Sequence, residues 1–345
     1  MTNITAKINP KQWVLNIAIS IFLSAFTANA VYASDFVKIA TIGIAPPGFN
    51  KATDNQGNVD QVLVFWKLQI DQVLPDKPDL ILLPELCDFP SGLNIDKGNE
   101  YLKVRKNQII DQFASIAKAN HCYIAFGTLR VADGGRLRNS AILLDRNGKI
   151  TGIYNKNFPT IGEIESGVKA GNEAPIFQCD FGRVAFAICF DLNFKELREK
   201  YEIEKPDIIL FPSQYHGGQM QNDWAYLCRS FFVGSITDQD VHSEIRNPLG
   251  EVIASSTNYF DFVVTTINLD SRVVHLGYNF EKLSALKMKY GRAVTIADPG
   301  RLGAVLLSCE VENLSIDKII KEFNIELIDD YFNRSREKRL KSIHE

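Results

Sequence analysis

Cys189 closes the apolar run Val184-Ala185-Phe186-Ala187-Ile188-Cys189 and is followed by Phe190-Asp191. A thiol at the exit of a buried strand stands where a rigid sheet can present a nucleophile to a cleft. A lone strand cysteine is more often a packing residue, because free cysteine is among the most buried residue types. Two other strand ends shift that balance. Asp79-Leu80-Ile81-Leu82-Leu83-Pro84-Glu85 delivers a carboxylate after an apolar run. Its proline blocks continuation of a central strand, which predicts Glu85 at the sheet edge where loops begin. Ile150-Thr151-Gly152-Ile153-Tyr154-Asn155-Lys156 ends a short alternating strand with an ammonium. A nucleophile, a proton carrier and a cation therefore occupy equivalent places in the pattern.

The elements that must hold these groups read as an alternation of strands and helices. Phe36 to Ile44 and Asp79 to Leu83 are expected strands, and Val62 to Val73 a helix. Tyr101 to Ala119 repeats apolar residues at helical spacing through Ile109, Phe113 and Ile116 or Ala117. Tyr123 to Val131 and Ser140 to Leu144 read as strands, the second joined to Ile150 to Tyr154 by an Asn147-Gly148 hairpin turn. Val184 to Cys189 and Asp207 to Phe211 are further strands, with helices expected from Phe194 and over Asp223 to Phe232. Asn247-Pro248-Leu249-Gly250 turns a late hairpin, and Phe262 to Leu269 closes the sheet. The strings Asp79 to Pro84 and Asp207 to Pro212 share one pattern, which suits either two similar strand-helix halves or two ordinary buried strands.

The segments LLPELCDFP, YNKNFPTIGE and FGRVAFAICFDLNF, in that order, resemble the nitrilase or carbon-nitrogen hydrolase superfamily, with weaker agreement through Pro206 to Ser213, Trp224 and Asn247 to Ala254. The resemblance implies an α/β fold, an α-β-β-α sandwich of two mixed sheets with outer helices, over residues 34–270. It implies a catalytic triad of Glu85, Lys156 and Cys189, with a further carboxylate between Lys156 and Cys189. The Lys-x-x-Pro-Thr-x-x-Glu spacing favours Glu163 over Glu165 for that role. Two departures stand out: Lys195-Glu196 where Pro-Glu is usual, and Cys228-Arg229-Ser230-Phe231-Phe232 in place of Arg-Ala-x-Glu-Asn. The second is expected near the pocket, where it bears on the substrate.

An amide carbonyl is a poor electrophile. Splitting its C–N bond requires an activated nucleophile, an oxyanion stabiliser and an acid for the leaving amine. Cys189 would attack, Glu85 would carry the proton, and Lys156, which should also lower the thiol pKa, would hold the oxyanion with the Phe190 backbone N–H. Asp191 is expected to bond loop backbone. Tyr215, His216 and Trp224 are the candidate pocket residues, although a loop histidine is more often structural. His121, His242 and His275 have no metal-ligand spacing, and no phosphate loop or dinucleotide fingerprint occurs, so no cofactor is expected.

The bulk properties bound the rest. Lys7 and Lys11, the apolar stretch from Trp13 to Phe26, and small residues ending at Ala30 or Ala33 form a secretory signal pattern over residues 1–33, too short for a comfortable membrane span. An exported protein with no further span is expected. A net charge of −3 and the absence of a basic run argue against nucleic acid. The 6 cysteines show no Cys-x-x-Cys pair; apart from Cys189 they read mainly as core residues, with one bridge between two of them left open. Residues 271–345 form a charged, helix-rich extension expected to pack on the domain or, as the resemblance implies, on a partner subunit of a homo-oligomer. A small-molecule amide hydrolase is the leading reading. A nitrile hydrolase, an amide-forming acyltransferase and a catalytically silent binding protein of the same fold are the alternatives.

Overall fold

The computed structural model describes residues 35–238 and 240–344. The signal pattern of residues 1–33 lies outside them. The strands are β1 (Phe36–Ile42), β2 (Leu80–Leu82), β3 (Tyr123–Ala132), β4 (Arg136–Leu144), β5 (Ile150–Asn155), β6 (Phe177–Gln178), β7 (Arg183–Phe186), β8 (Ile208–Ser213), β9 (Phe231–Ile236), β10 (Glu244–Arg246), β11 (Val252–Ser255), β12 (Phe262–Asn268), β13 (Ser271–His275), β14 (Val294–Ala297) and β15 (Ala304–Cys309). The helices are α1 (Asn55–Asp71), α2 (Ile95–Arg105), α3 (Gln108–Asn120), α4 (Ile161–Glu165), α5 (Lys195–Glu204), α6 (Gln219–Cys228), α7 (Phe280–Tyr290), α8 (Ile316–Glu322) and α9 (Ile328–His344).

Two 6-stranded sheets run β12-β1-β2-β3-β4-β5 and β11-β10-β9-β8-β7-β6. Each is built round a parallel triplet, β1-β2-β3 in one and β7-β8-β9 in the other, with antiparallel strands on both flanks. The two similar strings of the sequence are the middle strands of these triplets, so the similarity reflects matching halves. Side chains alternate across the pleat. Ile39, Leu80 and Leu82 face a core shared with Val184, Phe186, Ile208 and Leu210 of the second sheet. Ala40, Ile81 and Leu83 face the other way, onto Val62, Trp66 and Ile70 of α1 and Ile109, Phe113 and Ala117 of α3. Each helix presents residues four apart, one stripe on one face. The expected sandwich is therefore the observed fold.

Three element assignments need correction. The single helix expected over Tyr101 to Ala119 is two, because Lys106 takes φ +45° and ends α2 where Arg105 turns inward to Asp88. The helix expected through Phe232 stops at Cys228, capped by Arg229 at φ +59°, and Phe231–Ile236 is a strand paired in parallel with β8. Glu85 follows an interior strand of its sheet, at the strand's end and not at the sheet edge. All cysteines are free thiols, so the bridge left open does not form.

The extension carries a 3-stranded sheet β13-β15-β14 with its own core of Val274, Leu286, Val294, Val305, Leu307, Ile316 and Ile319. It packs on its own hydrolase domain. Val273, Leu306 and Ile328 cluster with Leu249, and Asp329 pairs with Lys205 and Arg229. The Arg229 motif departure therefore serves this seam. Lys195 is the first residue of α5, exposed and paired with Glu199, so that departure is at the surface. Among the described residues no helix is long and apolar enough to cross a membrane.

Candidate active site

Glu85 is 3% exposed and sits beyond the end of β2. Its backbone lies so close to β3 that a Cβ built on Gly127 would come within 2.5 Å of Glu85 Cα and 2.8 Å of Pro84 O. Only glycine permits that approach. Leu86, next in line, has φ +52°, an uncommon conformation for a bulky residue. Cys189 is likewise not in a strand: β7 ends at Phe186, and Cys189 opens a 3₁₀ turn with φ +47°. Most other positive-φ residues with side chains cap helices, whereas these two form the strand exits of the site. Such strain persists only where the surroundings over-determine it.

Lys156 follows β5, is 1% exposed, and donates from Nζ to Glu85 Oε1 at 2.8 Å and to Glu163 Oε2 at 2.8 Å. Thr160 caps α4 by accepting from Glu163 N, while Glu163 Oε2 accepts from Thr160 N at 2.7 Å. This reciprocal capping box fixes the Glu163 carboxylate over the lysine. Glu165 is exposed. The Thr-x-x-Glu capping signature in the sequence separates the two glutamates without any resemblance.

Asn139 escaped the sequence reading. It is 1% exposed, and its Nδ2 donates to Glu85 Oε1 at 2.8 Å and Glu163 Oε1 at 2.7 Å, one amide held between two carboxylates. Its carbonyl oxygen also accepts from Lys156 N at 2.9 Å. It stands between Arg138 and Ser140 in the polar half of β4, so the sequence carries no signal that sets it apart. Asp191 bonds loop backbone as expected and does more. It accepts from Phe158 N at 2.7 Å, Ile188 N at 2.9 Å and Tyr154 Oη at 2.7 Å, tying the lysine loop to the cysteine turn.

Electrostatics follow from this packing. Burial alone would lower the Lys156 pKa, but the charges of Glu85, Cys189 and Glu163 hold it well above the usual lysine value. Burial would raise Glu163, yet Lys156 and the Asn139 amide hold it below the usual carboxylate value. The Cys189 thiol is pushed up to about 12, first by burial and then by the neighbouring Glu85 charge; Lys156 and the Gln214 N–H pull the other way. The expected downward pull of Lys156 on the thiol is present, but burial and the Glu85 charge outweigh it. Burial also raises Asp191, to about 6.

These groups open onto a cavity of ≈ 460 Å³. Its rim joins two loops: Ser91 N donates to Pro47 O at 3.0 Å, Phe49 N to Ser91 O at 2.9 Å, and Ser91 Oγ to Pro46 O at 2.8 Å. Gln214 and Thr237, at the exits of β8 and β9, complete the wall. Thr237 was missed because β9 was. The three tentative pocket residues do not line the cavity. Trp224 is fully buried and donates to Leu192 O at 3.0 Å. Tyr215 Oη accepts from Asn193 Nδ2 at 3.0 Å, and His216 Nε2 meets Glu244 Oε2 at 3.1 Å. Phe190 is in the turn beside the thiol, its ring edge-on to Phe194. No group of His, Cys, Asp and Glu among the described residues has the arrangement to hold a metal ion.

Comparison with known proteins gives a family and a fold. A family model described as carbon-nitrogen hydrolase matches residues 38–271. A deaminated glutathione amidase of Dictyostelium discoideum is 25% identical over 237 residues, 59% of this chain and 81% of that protein. An omega-amidase of Homo sapiens is 23% identical over 213 residues, 55% of this chain and 76% of its own. The crystal structure of an amidase from Nesterenkonia sp. shares the fold, with a TM-score of 0.58 at 15% identity over 69% of this chain and 92% of that one.

Proposed function

The chain belongs to the carbon-nitrogen hydrolase family, whose members split C–N bonds other than peptide bonds, and on that premise we propose that it hydrolyses a small amide or carbamoyl compound through a thioester on Cys189. The observation that carries the reading is the convergence of Glu85, Lys156 and Glu163 with Cys189 on one cavity.

A thiol held near 12 is neutral at pH 7, so attack requires a base that takes its proton as the S–C bond forms. Glu85 is that base, being the carboxylate whose charge and hydrogen bond act on the thiol. Lys156 has three N–H donors, two of them engaged by carboxylates. The third, with the Phe190 N–H, receives the oxyanion. Collapse breaks the C–N bond, and the proton on Glu85 leaves with ammonia or an amine. Water then gives a proton to Glu85 and its oxygen to the thioester carbonyl. The proton returns to sulfur as the carboxylic acid departs. Glu163 and Asn139 act through the others, holding the ammonium and keeping the two carboxylates apart.

Release of ammonia or amine from a panel of amides, ureas and nitriles tests this. Turnover of amides by the wild type and none by Cys189→Ser is the expected result. Equal turnover by the variant would overturn the assignment.

A further inference from the structure

The charge content of the cavity bears on which acyl group it takes, a question that rests on the thioester reading above. Among the described residues lining it, the charged side chains are Glu85, Lys156 and Glu163, and all three belong to one cluster. One cation stands against two carboxylates, beside a thiol that carries no charge at neutral pH. The described residues therefore leave no cation to spare for a ligand's anion, and their fixed field is negative. Arginines near the lining loops in sequence are engaged elsewhere: Arg105 pairs with Asp88 and Arg246 with Glu244. The remaining wall is apolar at Leu86, Phe89, Pro90 and Leu93, with neutral polar groups on Ser91 and Thr237. A carboxylate brought there would lose its hydration shell, find no counter-ion and feel the repulsion of Glu85 and Glu163.

We infer that the site selects amides with an uncharged acyl group, short aliphatic or hydroxylated, and rejects amides that carry a carboxylate on the acyl chain. Contact with the apolar wall supplies the favourable term, and the hydroxyls accommodate one neutral polar substituent.

The test compares butyramide with succinamate, which differ chiefly in a terminal methyl against a terminal carboxylate, by kcat/KM for ammonia release. The wild type is expected to favour butyramide by on the order of a hundredfold, as an unpaired charge entering a poorly solvated site dictates. Leu93→Arg, which places a cation on the apolar wall, should narrow that ratio at least tenfold and lose the gain at high salt. A preference for succinamate, or equal turnover of the pair, overturns the inference while leaving the thioester mechanism standing. If neither these nor any other amide of the panel is turned over and none acylates Cys189, the mechanism falls and the inference with it.

Discussion

Glu85 and Asp88 leave the same loop and enter two different ionic clusters. Glu85 meets Lys156 at 2.8 Å, and Asp88 meets Arg105 at 2.6 Å and Thr128 Oγ1 at 2.5 Å. Both clusters are buried, and each leaves one buried oxygen without a partner, Asn139 Oδ1 in the first and Asp88 Oδ1 in the second. The electrostatic outcomes differ. Burial keeps Asp88 above the usual carboxylate pKa despite Arg105, whereas Lys156 and Asn139 hold Glu163 below it. Burial with an ion partner therefore does not identify a catalytic group, since structural pairs perturb pKa as well. The difference lies in access: the Glu85 cluster borders the ≈ 460 Å³ cavity and the partly exposed Cys189 thiol, whereas the Asp88 cluster lies outside that cavity, has the fully buried Cys87 as its thiol neighbour and anchors the loop that bears Phe89 to Leu93.

Mutations should separate the two. Glu85→Gln keeps the shape and removes proton transfer, so kcat/KM should fall on the order of a hundredfold or more with the unfolding transition retained. A near-normal rate would make Glu85 structural. Arg105→Met should do the reverse, costing about 3–5 kcal/mol in denaturant unfolding by leaving Asp88 buried without its counter-ion, while the folded fraction keeps kcat/KM within a few-fold. Adding Asp88→Asn should recover most of that stability, and failure to do so would mean that the pair is not what Arg105 supports.

A third experiment reads the field at the thiol. Because the Glu85 charge raises the Cys189 pKa and Lys156 lowers it, Glu85→Gln should move the pH profile of alkylation by iodoacetamide to lower pH, whereas in the wild type the rate should still be climbing at pH 10. An unchanged profile would detach Glu85 from the thiol. The smallest effect is expected at the seam with the extension, where Asp329 and Lys205 are partly exposed. Asp329→Asn should cost less than about 1 kcal/mol and leave kcat/KM unaltered. A loss of activity there would give the extension a part in the site.

The strand exits were legible because an apolar run ending in a reactive residue is a one-dimensional signal. The sandwich was legible in its alternation and in two similar strings. What escaped depends on three-dimensional closure. Phe231–Ile236 closely follows the helical spacing of α6, and only Arg229, left-handed, and Ser230 separate them. Cys189 reads as strand because its positive φ leaves no mark on composition. The pull of Lys156 on the thiol is legible in the sequence, but the burial that outweighs it leaves no mark on composition. Trp224 carries a family motif, yet its ring supports the Cys189 turn from below through Leu192 O.

The central claim is a covalent one, and mass spectrometry of the protein quenched during turnover of a slow amide tests it most directly. The account predicts an acyl adduct on the peptide containing Cys189, formed and lost at the rate of turnover and absent from Cys189→Ala. Turnover with no adduct on Cys189, or an adduct confined to Cys87 or Cys228, would contradict it.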